Sequence, residues 1–498
     1  MMMDIDEDSA TLAESAHVFR SRRNRQVPIS RLPDEILLMI FKHIEEETRL
    51  TAQDIDDGRT ISNDTGDDVP ACLAVTHVCS HWRKIALKCP SLWNLISTTS
   101  TFWLDIMLER SQKVPLVVKY SAFDISLDEF LGRVLLHLPR IKHLELYTVT
   151  READRVMELL SSQPALMLET CKFLVSGLFP PGGSTTNTIF QGVAPLLRSL
   201  EVYHCGRGWT SCTFGGLRSL RVGKTELSDL LTALQCMPSL EQLTFTGGLL
   251  QSNQPLPINK VPLARLKNIA LNEALSQDAV SLFQHLALPV DIKIAIRLLS
   301  IEGLQPIADL FSVMDKHPHE SGPVFRSLRA IQSEQWRYCV QFSTSTTINV
   351  CDDIWNPQDD DIRLTVEYNY YENDAAVSRD LVFEICNIIA HRRRQTFFSG
   401  QFEFIHVEGC RGFIRGLTDA LRIVEGSPGV PYPSLRALRL QDIQFEGDEL
   451  QDFLDVLTMR VQQNAPIHEL WLWLCHNLSA DQVELCRKVV SAVYQHYN

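Results

Sequence analysis

At 498 residues, with 45% hydrophobic content and a net charge of −14, the chain is long enough for several domains or one extended repeat array. The acidic balance argues against a nucleic-acid partner, because phosphate binding relies on clustered Lys and Arg. No apolar run approaches the ~20 residues that a membrane helix needs, so no membrane partner is expected either.

Residues 1–27 read as a disordered tail. The opening Met1-Met2-Met3-Asp4-Ile5-Asp6 is acidic and lacks the apolar centre of a signal peptide. Arg20, Arg22, Arg23 and Arg25 form a short basic cluster, open to two readings: a nuclear import signal or a solvated stretch. Thirteen cysteines without paired spacing read as reduced thiols, which points to the cytoplasm, the nucleus or both. The glycosylation triplets at Asn63 and Asn477 would go unused there.

Residues 28–96 predict three short helices. Leu32-Pro33 opens the first, since proline is tolerated where a helical N–H has no partner. Asp34 and Glu35 follow where the helix dipole favours negative charge. Ile36, Leu37, Ile40, Phe41 and Ile44 then recur at helical spacing. A second helix begins near Ala71 with Leu73, Val75 and Val78. A third carries Trp82, Ile85 and Ala86, and Pro90-Ser91-Leu92-Trp93 closes the unit. Three helices in roughly seventy residues make a marginal core that needs support from a neighbour or a partner.

The ordered set Leu32-Pro33-Asp34-Glu35-Ile36-Leu37, Leu73, Val78-Cys79, Trp82-Arg83 and Pro90-Ser91-Leu92-Trp93 resembles an F-box. The resemblance is closest to the F-box-like proteins numerous in mushroom-forming fungi. It departs at an acidic insertion, residues 45–70, where a typical F-box joins its helices more tightly. A longer loop costs little closure entropy, so the insertion bears on affinity more than on architecture. The resemblance implies docking onto the Skp-type adaptor of a cullin-based ubiquitin ligase. Leu32, Pro33, Ile36, Leu37, Ile40 and Phe41 would form the docking face, and Val78 and Trp82 would extend it or hold the module together.

Residues 97–498 carry a recurring phrase with apolar residues at positions one, four and six. It appears from Ile141 to Leu146, Leu197 to Val202, Leu217 to Val222, Leu240 to Phe245, Leu266 to Leu271, Leu435 to Leu440 and Ile467 to Leu472, with a weaker copy from Leu328 to Ile331. Leu197, Leu217, Leu240 and Leu266 are spaced by 20, 23 and 26 residues, inside the leucine-rich-repeat period. Degenerate copies fall at 116–118, 168–173, 292–296, 348–350, 364–366 and 404–407. Helical stretches separate the phrases, among them 227–237, 381–390, 450–461 and 480–494. The expected fold class is α/β: a three-helix F-box followed by a curved solenoid that resembles the leucine-rich-repeat tails of F-box proteins.

Strand side chains alternate, so positions three, five and seven of each phrase face away from the core. On the concave face this places Tyr147, Tyr203, Arg221, Arg439, Trp471 and Trp473 as candidate contacts for an unknown protein target. Exposed tryptophans are typical binding anchors. Alternatively, the final helix, through Tyr494, folds over Trp471 and Trp473 and caps them.

No catalytic, cofactor or metal site is expected. Gly223-Lys224-Thr225 lacks the earlier glycine of a phosphate loop, since Arg218 stands there. Asp54, Asp56, Asp57 and Gly58 miss the calcium-loop spacing. Cys72, His77, Cys79 and His81 are close enough in sequence to suggest a metal site, but they lie within the predicted F-box helices, where Cys79 takes a position usually packed in the core, so zinc is not expected. The resemblance implies the substrate-recognition subunit of an SCF-type ubiquitin ligase, and the lack of a catalytic motif leads to the expectation that the chain is not an enzyme. The alternative is a repeat scaffold whose F-box-like helices only cap the solenoid.

Overall fold

The computed structural model describes residues 27–53, 72–97, 100–121, 127–176, 188–203, 209, 214–249, 256–289, 291–298, 309–310, 313, 324–333, 337–344, 362–369, 399–409, 413–423 and 430–496. The N-terminal tail, most of the acidic insertion, and the expected copy at 348–350 and helix at 381–390 lie outside them. The chain forms two compact units, Met1–Phe214 and Gly215–Asn498, each mixed α/β with a large, mainly parallel sheet.

The first unit opens with three helices: α1 (Asp34–Gln53), α2 (Cys72–Thr76) and α3 (Ser80–Leu87). The Pro33 carbonyl accepts the Ile36 and Leu37 N–H groups at 3.0 and 3.1 Å, which starts α1. The helix runs on to Gln53, so the first residues of the expected insertion are helical rather than loop. Cys79 sits before α3 and its thiol accepts the Trp82 N–H at 3.5 Å. The Arg83 Nε donates to the Thr76 carbonyl at 2.9 Å and fastens α3 to α2. Trp93 is fully buried; its indole N–H donates to the Ala86 carbonyl at 3.0 Å, and the Arg110 guanidinium lies 4.4 Å over its ring.

The helices lead directly into a parallel sheet. Its strands are β1 (Leu95–Ile96), β2 (Leu116–Ser121), β3 (Ile141–Val149), β4 (Thr170–Ser176) and β5 (Ser199–Tyr203), ordered as in sequence. Helices α4 (Thr101–Arg110), α5 (Leu127–Val134) and α6 (Thr150–Leu160) connect them. Register rows show how the apolar phrase builds the core. Val118, Leu144, Cys171 and Leu200 stand side by side and are buried, as are Tyr120, Leu146, Phe173 and Val202. Period-2 alternation sends the intervening residues to the other face.

The second unit begins with β6 (Ser219–Gly223), α7 (Leu227–Gln235), β7 (Gln242–Thr246), the short pair β8 (Val261–Pro262) and β10 (Leu286–Ala287), β9 (Asn268–Ala274), α8 (Ser276–His285) and β11 (Lys293–Leu298). Leu220, Leu243, Ile269 and Ile294 stand side by side in a buried row of this unit. The order then breaks. Strands β12 (Val324–Ser333), β13 (Arg337–Ser343), β14 (Ile362–Asn369) and β15 (Ser399–Glu408) follow in the chain, but the sheet runs β11-β14-β13-β12-β15. β13 is antiparallel to both of its neighbours. The weak copy at Leu328 therefore belongs to an antiparallel meander, not to a strand–helix unit.

Regular order resumes with α9 (Phe413–Leu421), β16 (Ala437–Gln441), α10 (Glu449–Gln462), β17 (Glu469–Trp473), α11 (Ala480–Val489) and β18 (Ala492–His496). The expected last helix thus stops at Val489. Ser479 and Gln482 form a capping box at its start, and the residues after it form a strand parallel to β17.

Candidate partner-binding surfaces

The expected adaptor face divides into two sets. Leu37, at 0% exposure, and Phe41, at 1%, point inward, and the Phe41 ring lies 4.9 Å from that of Trp82, itself buried. These three are the module's core and cannot press on a partner directly. Pro33 and Ile36 are exposed, and Leu32 and Ile40 are half-buried. Val78, 56% exposed, precedes α3, and His81 of α3 lies 3.6 Å from Asp34, which brings the starts of α3 and α1 together. Met39, 66% exposed, was not among the expected contacts. It lies three residues after Ile36, so the same helical spacing that marked Ile36 and Ile40 puts it on their face.

The four candidate metal residues have other places. Cys72 is buried in α2, Cys79 caps α3, His81 faces Asp34, and His77 is exposed in the turn between the helices.

Residues 29–99 match the F-box-like family. The match spans α1 to the end of β1 and supports an F-box protein. No curated protein matches the chain.

Two of the six candidate target contacts lie in the first unit and four in the second. Tyr147 and Tyr203 lie on the open sheet face of the first unit, in the row that also contains Leu174. Beside them runs a row of alternating charge, Lys119, Glu145, Lys172 and Glu201. The Glu145 carboxylate lies 3.7 Å from the Lys119 amine and 3.5 Å from that of Lys172. The Tyr147 hydroxyl donates to Glu145 at 2.7 Å, and Lys172 sits 5.2 Å over the Tyr147 ring. Burial pushes the Tyr147 hydroxyl pKa up, so it stays a neutral donor.

In the second unit Arg221 lies on β6. Eight strand spacings separate it from Arg439 on β16, about 38 Å along the sheet at ~4.8 Å each. Arg439, Trp471 and Trp473, by contrast, gather at one end. The Arg439 guanidinium lies 4.9 Å over the Trp473 ring. Among the described residues no helix caps the tryptophans. Instead β18 sets Tyr494 and His496 beside them, each stacked at 4.0 Å: Trp471 on Tyr494 with 21° between planes, Trp473 on His496 with 17°. The Trp471 indole N–H donates to Glu469 at 3.4 Å.

Next to this aromatic end lies a buried polar cluster. His406 on β15 stands in register between Arg329 and Arg439. Burial, and then the charges of Arg329 and Arg439, hold its imidazole well below the ordinary histidine range. Arg329 donates to Glu408 at 2.6 Å, and the Gln441 amide donates to the same carboxylate at 3.2 Å. Sequence reading identified Arg439 but missed His406, which lies in a degenerate copy of the phrase.

Proposed function

We propose that this chain is the substrate-recognition subunit of an SCF-type E3 ubiquitin ligase. F-box domains in general bind Skp-type adaptors of cullin ligases, and residues 29–99 match that family. The observation that carries the reading is the exposed apolar set Pro33, Ile36, Met39 and Val78 over a sealed core of Leu37, Phe41 and Trp82. A helix face kept apolar while its other face is already buried is suited to a partner. A stable adaptor interface buries on the order of 1,600 Å² in total.

The strand–helix units after the F-box are read as an irregular leucine-rich-repeat-like array, and the nearest resemblance of the whole is to the F-box proteins of mushroom-forming fungi. The open sheet faces then bind the target. The chain contributes positioning, by holding target lysines near a ubiquitin-charged enzyme, and makes no bonds itself. It works in the cytoplasm, the nucleus or both, without cofactor, nucleic acid or membrane.

The test is co-purification with a Skp-type adaptor, with and without Leu32→Ala plus Pro33→Ala. Capture that the double substitution abolishes supports the reading, and capture that survives it refutes the docking face.

A second reading, a scaffold whose F-box helices only cap the sheet, draws on one observation. β1 follows Trp93 at once and pairs Leu95 and Ile96 with Val117 and Val118. It expects deletion of residues 28–96 to unfold the first unit and expects no adaptor capture.

A further inference from the structure

Strand β18 stands at the end of the order of the large sheet. It pairs with β17, and among the described residues no strand lies along its other side. The Ala492 N–H donates to the His468 carbonyl at 2.9 Å, and the His496 carbonyl accepts from Leu474 at 3.2 Å. In a parallel strand the N–H and C=O of one residue point the same way, and alternate residues point oppositely. The backbone groups of Ala492, Tyr494 and His496 are therefore turned toward β17, and those of Val493 and Gln495 turn outward.

Folded proteins usually blunt such an edge with lysine, proline or a bulge. Ala492-Val493-Tyr494-Gln495-His496 contains no lysine and no proline, and its register with β17 is unbroken. Its side chains on the open face are already part of a ladder. Arg439, Trp471 and Tyr494 stand in one register row and Trp473 and His496 in the next, with the Arg439 guanidinium reaching diagonally over the Trp473 ring. The Tyr494 ring covers Trp471 with one face and remains 46% exposed. Ala492, too small to reach across, stands in register beside Glu469.

We propose that the outer edge of β18 takes an extended, arginine-bearing segment of a partner protein as an added strand. The segment's backbone bonds to Val493 and Gln495. One arginine opposite Tyr494 stacks its guanidinium on that ring, a contact of the kind that Arg439 of β16 makes with the Trp473 ring of the adjacent β17. A second basic side chain opposite Ala492, two residues along, reaches over the alanine toward the Glu469 carboxylate. The chain's net charge of −14 favours a basic partner. The proposal deepens the target-binding half of the reading above and rests on it, but not on adaptor docking.

The test is a fluorescence-anisotropy titration of the full chain with a labelled octapeptide, Thr-Thr-Arg-Thr-Arg-Thr-Thr-Thr. Two perturbations remove backbone pairing alone. One is Gln495→Pro, which deletes an outward N–H that β17 does not use. The other is N-methylation of the peptide backbone, which needs no protein variant. Each is expected to weaken binding by about tenfold, the loss of one or two hydrogen bonds. Replacing both arginines with glutamate is expected to abolish binding.

Binding that survives Gln495→Pro and N-methylation would overturn strand addition in favour of side-chain contact only. Absence of binding up to about 1 mM peptide would overturn it outright. Adaptor capture, measured on the same preparations, is expected to be unchanged by Gln495→Pro. Peptide binding without adaptor capture would sink the ligase reading and leave the edge standing.

Discussion

Phe41→Ala is the sharpest probe of the N-terminal module. The ring is buried and packs 4.9 Å from Trp82. Truncating a buried phenylalanine costs about 3–5 kcal/mol, of which the aromatic pair supplies about 0.5–1.5 kcal/mol. A module of roughly seventy residues, at about 0.05–0.15 kcal/mol per residue, has a total stability of roughly 4–10 kcal/mol. The substitution therefore removes a large part of what keeps the three helices folded. Native-state hydrogen exchange over residues 34–44 and 80–93 reads this directly. Each 1.4 kcal/mol is tenfold, so exchange there should accelerate by about two to four powers of ten. Amides of β16 and β17, in the other unit, should keep their rates. Val78→Ala, at an exposed site, should shift exchange by less than about 0.5 kcal/mol. Unchanged protection in Phe41→Ala would show that this ring does not hold the module together.

His406 gives a pH dependence. Its folded pKa is lowered, so below about pH 6.5 the unfolded chain binds a proton that the folded unit refuses. The contribution is complete above that pH and is lost as pH falls toward the folded pKa, by up to about 1.4 kcal/mol per unit. Denaturation midpoints at pH 7.5 and 5.5 should therefore differ less in His406→Leu than in the parent chain; equal slopes would refute this. Arg460 of α10 is fully buried and donates to the Pro431 and Tyr432 carbonyls at 2.6 and 3.0 Å. Arg460→Ala strands both carbonyls and should cost about 3 kcal/mol, read as a lowered Tm. Trp473→Ala removes the ring between Arg439 and His496 and should lower stability by about 1–3 kcal/mol, measured by urea denaturation.

The strands were legible where the apolar phrase was clear, because period-2 alternation fixes which residues are buried. Leu220, Leu243 and Ile269 stand in one row for that reason. The meander of β12, β13 and β14 was not legible. Each strand there has ordinary alternation, and strand order depends on partners distant in sequence, such as Ile294 beside Leu364. The last strand left a trace that helical periodicity obscured. Val489, Val490, Val493 and Tyr494 are β-branched or aromatic, a composition that favours a strand after the helix. On α1, spacing found the apolar residues but not their division. Ile36 and Leu37 are neighbours in sequence, about 100° apart around the helix, and only packing against Trp82 decides which turns inward. The aromatic end was visible as Trp471 and Trp473, whereas its completion by Tyr494 and His496 required β18.

On the proposed reading the exposed face of α1 docks an adaptor while its buried face holds the module together. The most direct measurement is capture of a Skp-type adaptor by the parent chain and by Ile36→Glu plus Met39→Glu, with hydrogen exchange of residues 34–44 followed in both. The parent is expected to capture the adaptor, and the double variant to lose capture with exchange protection intact. Adaptor capture undiminished by the two glutamates, or no capture by the parent chain, would contradict it.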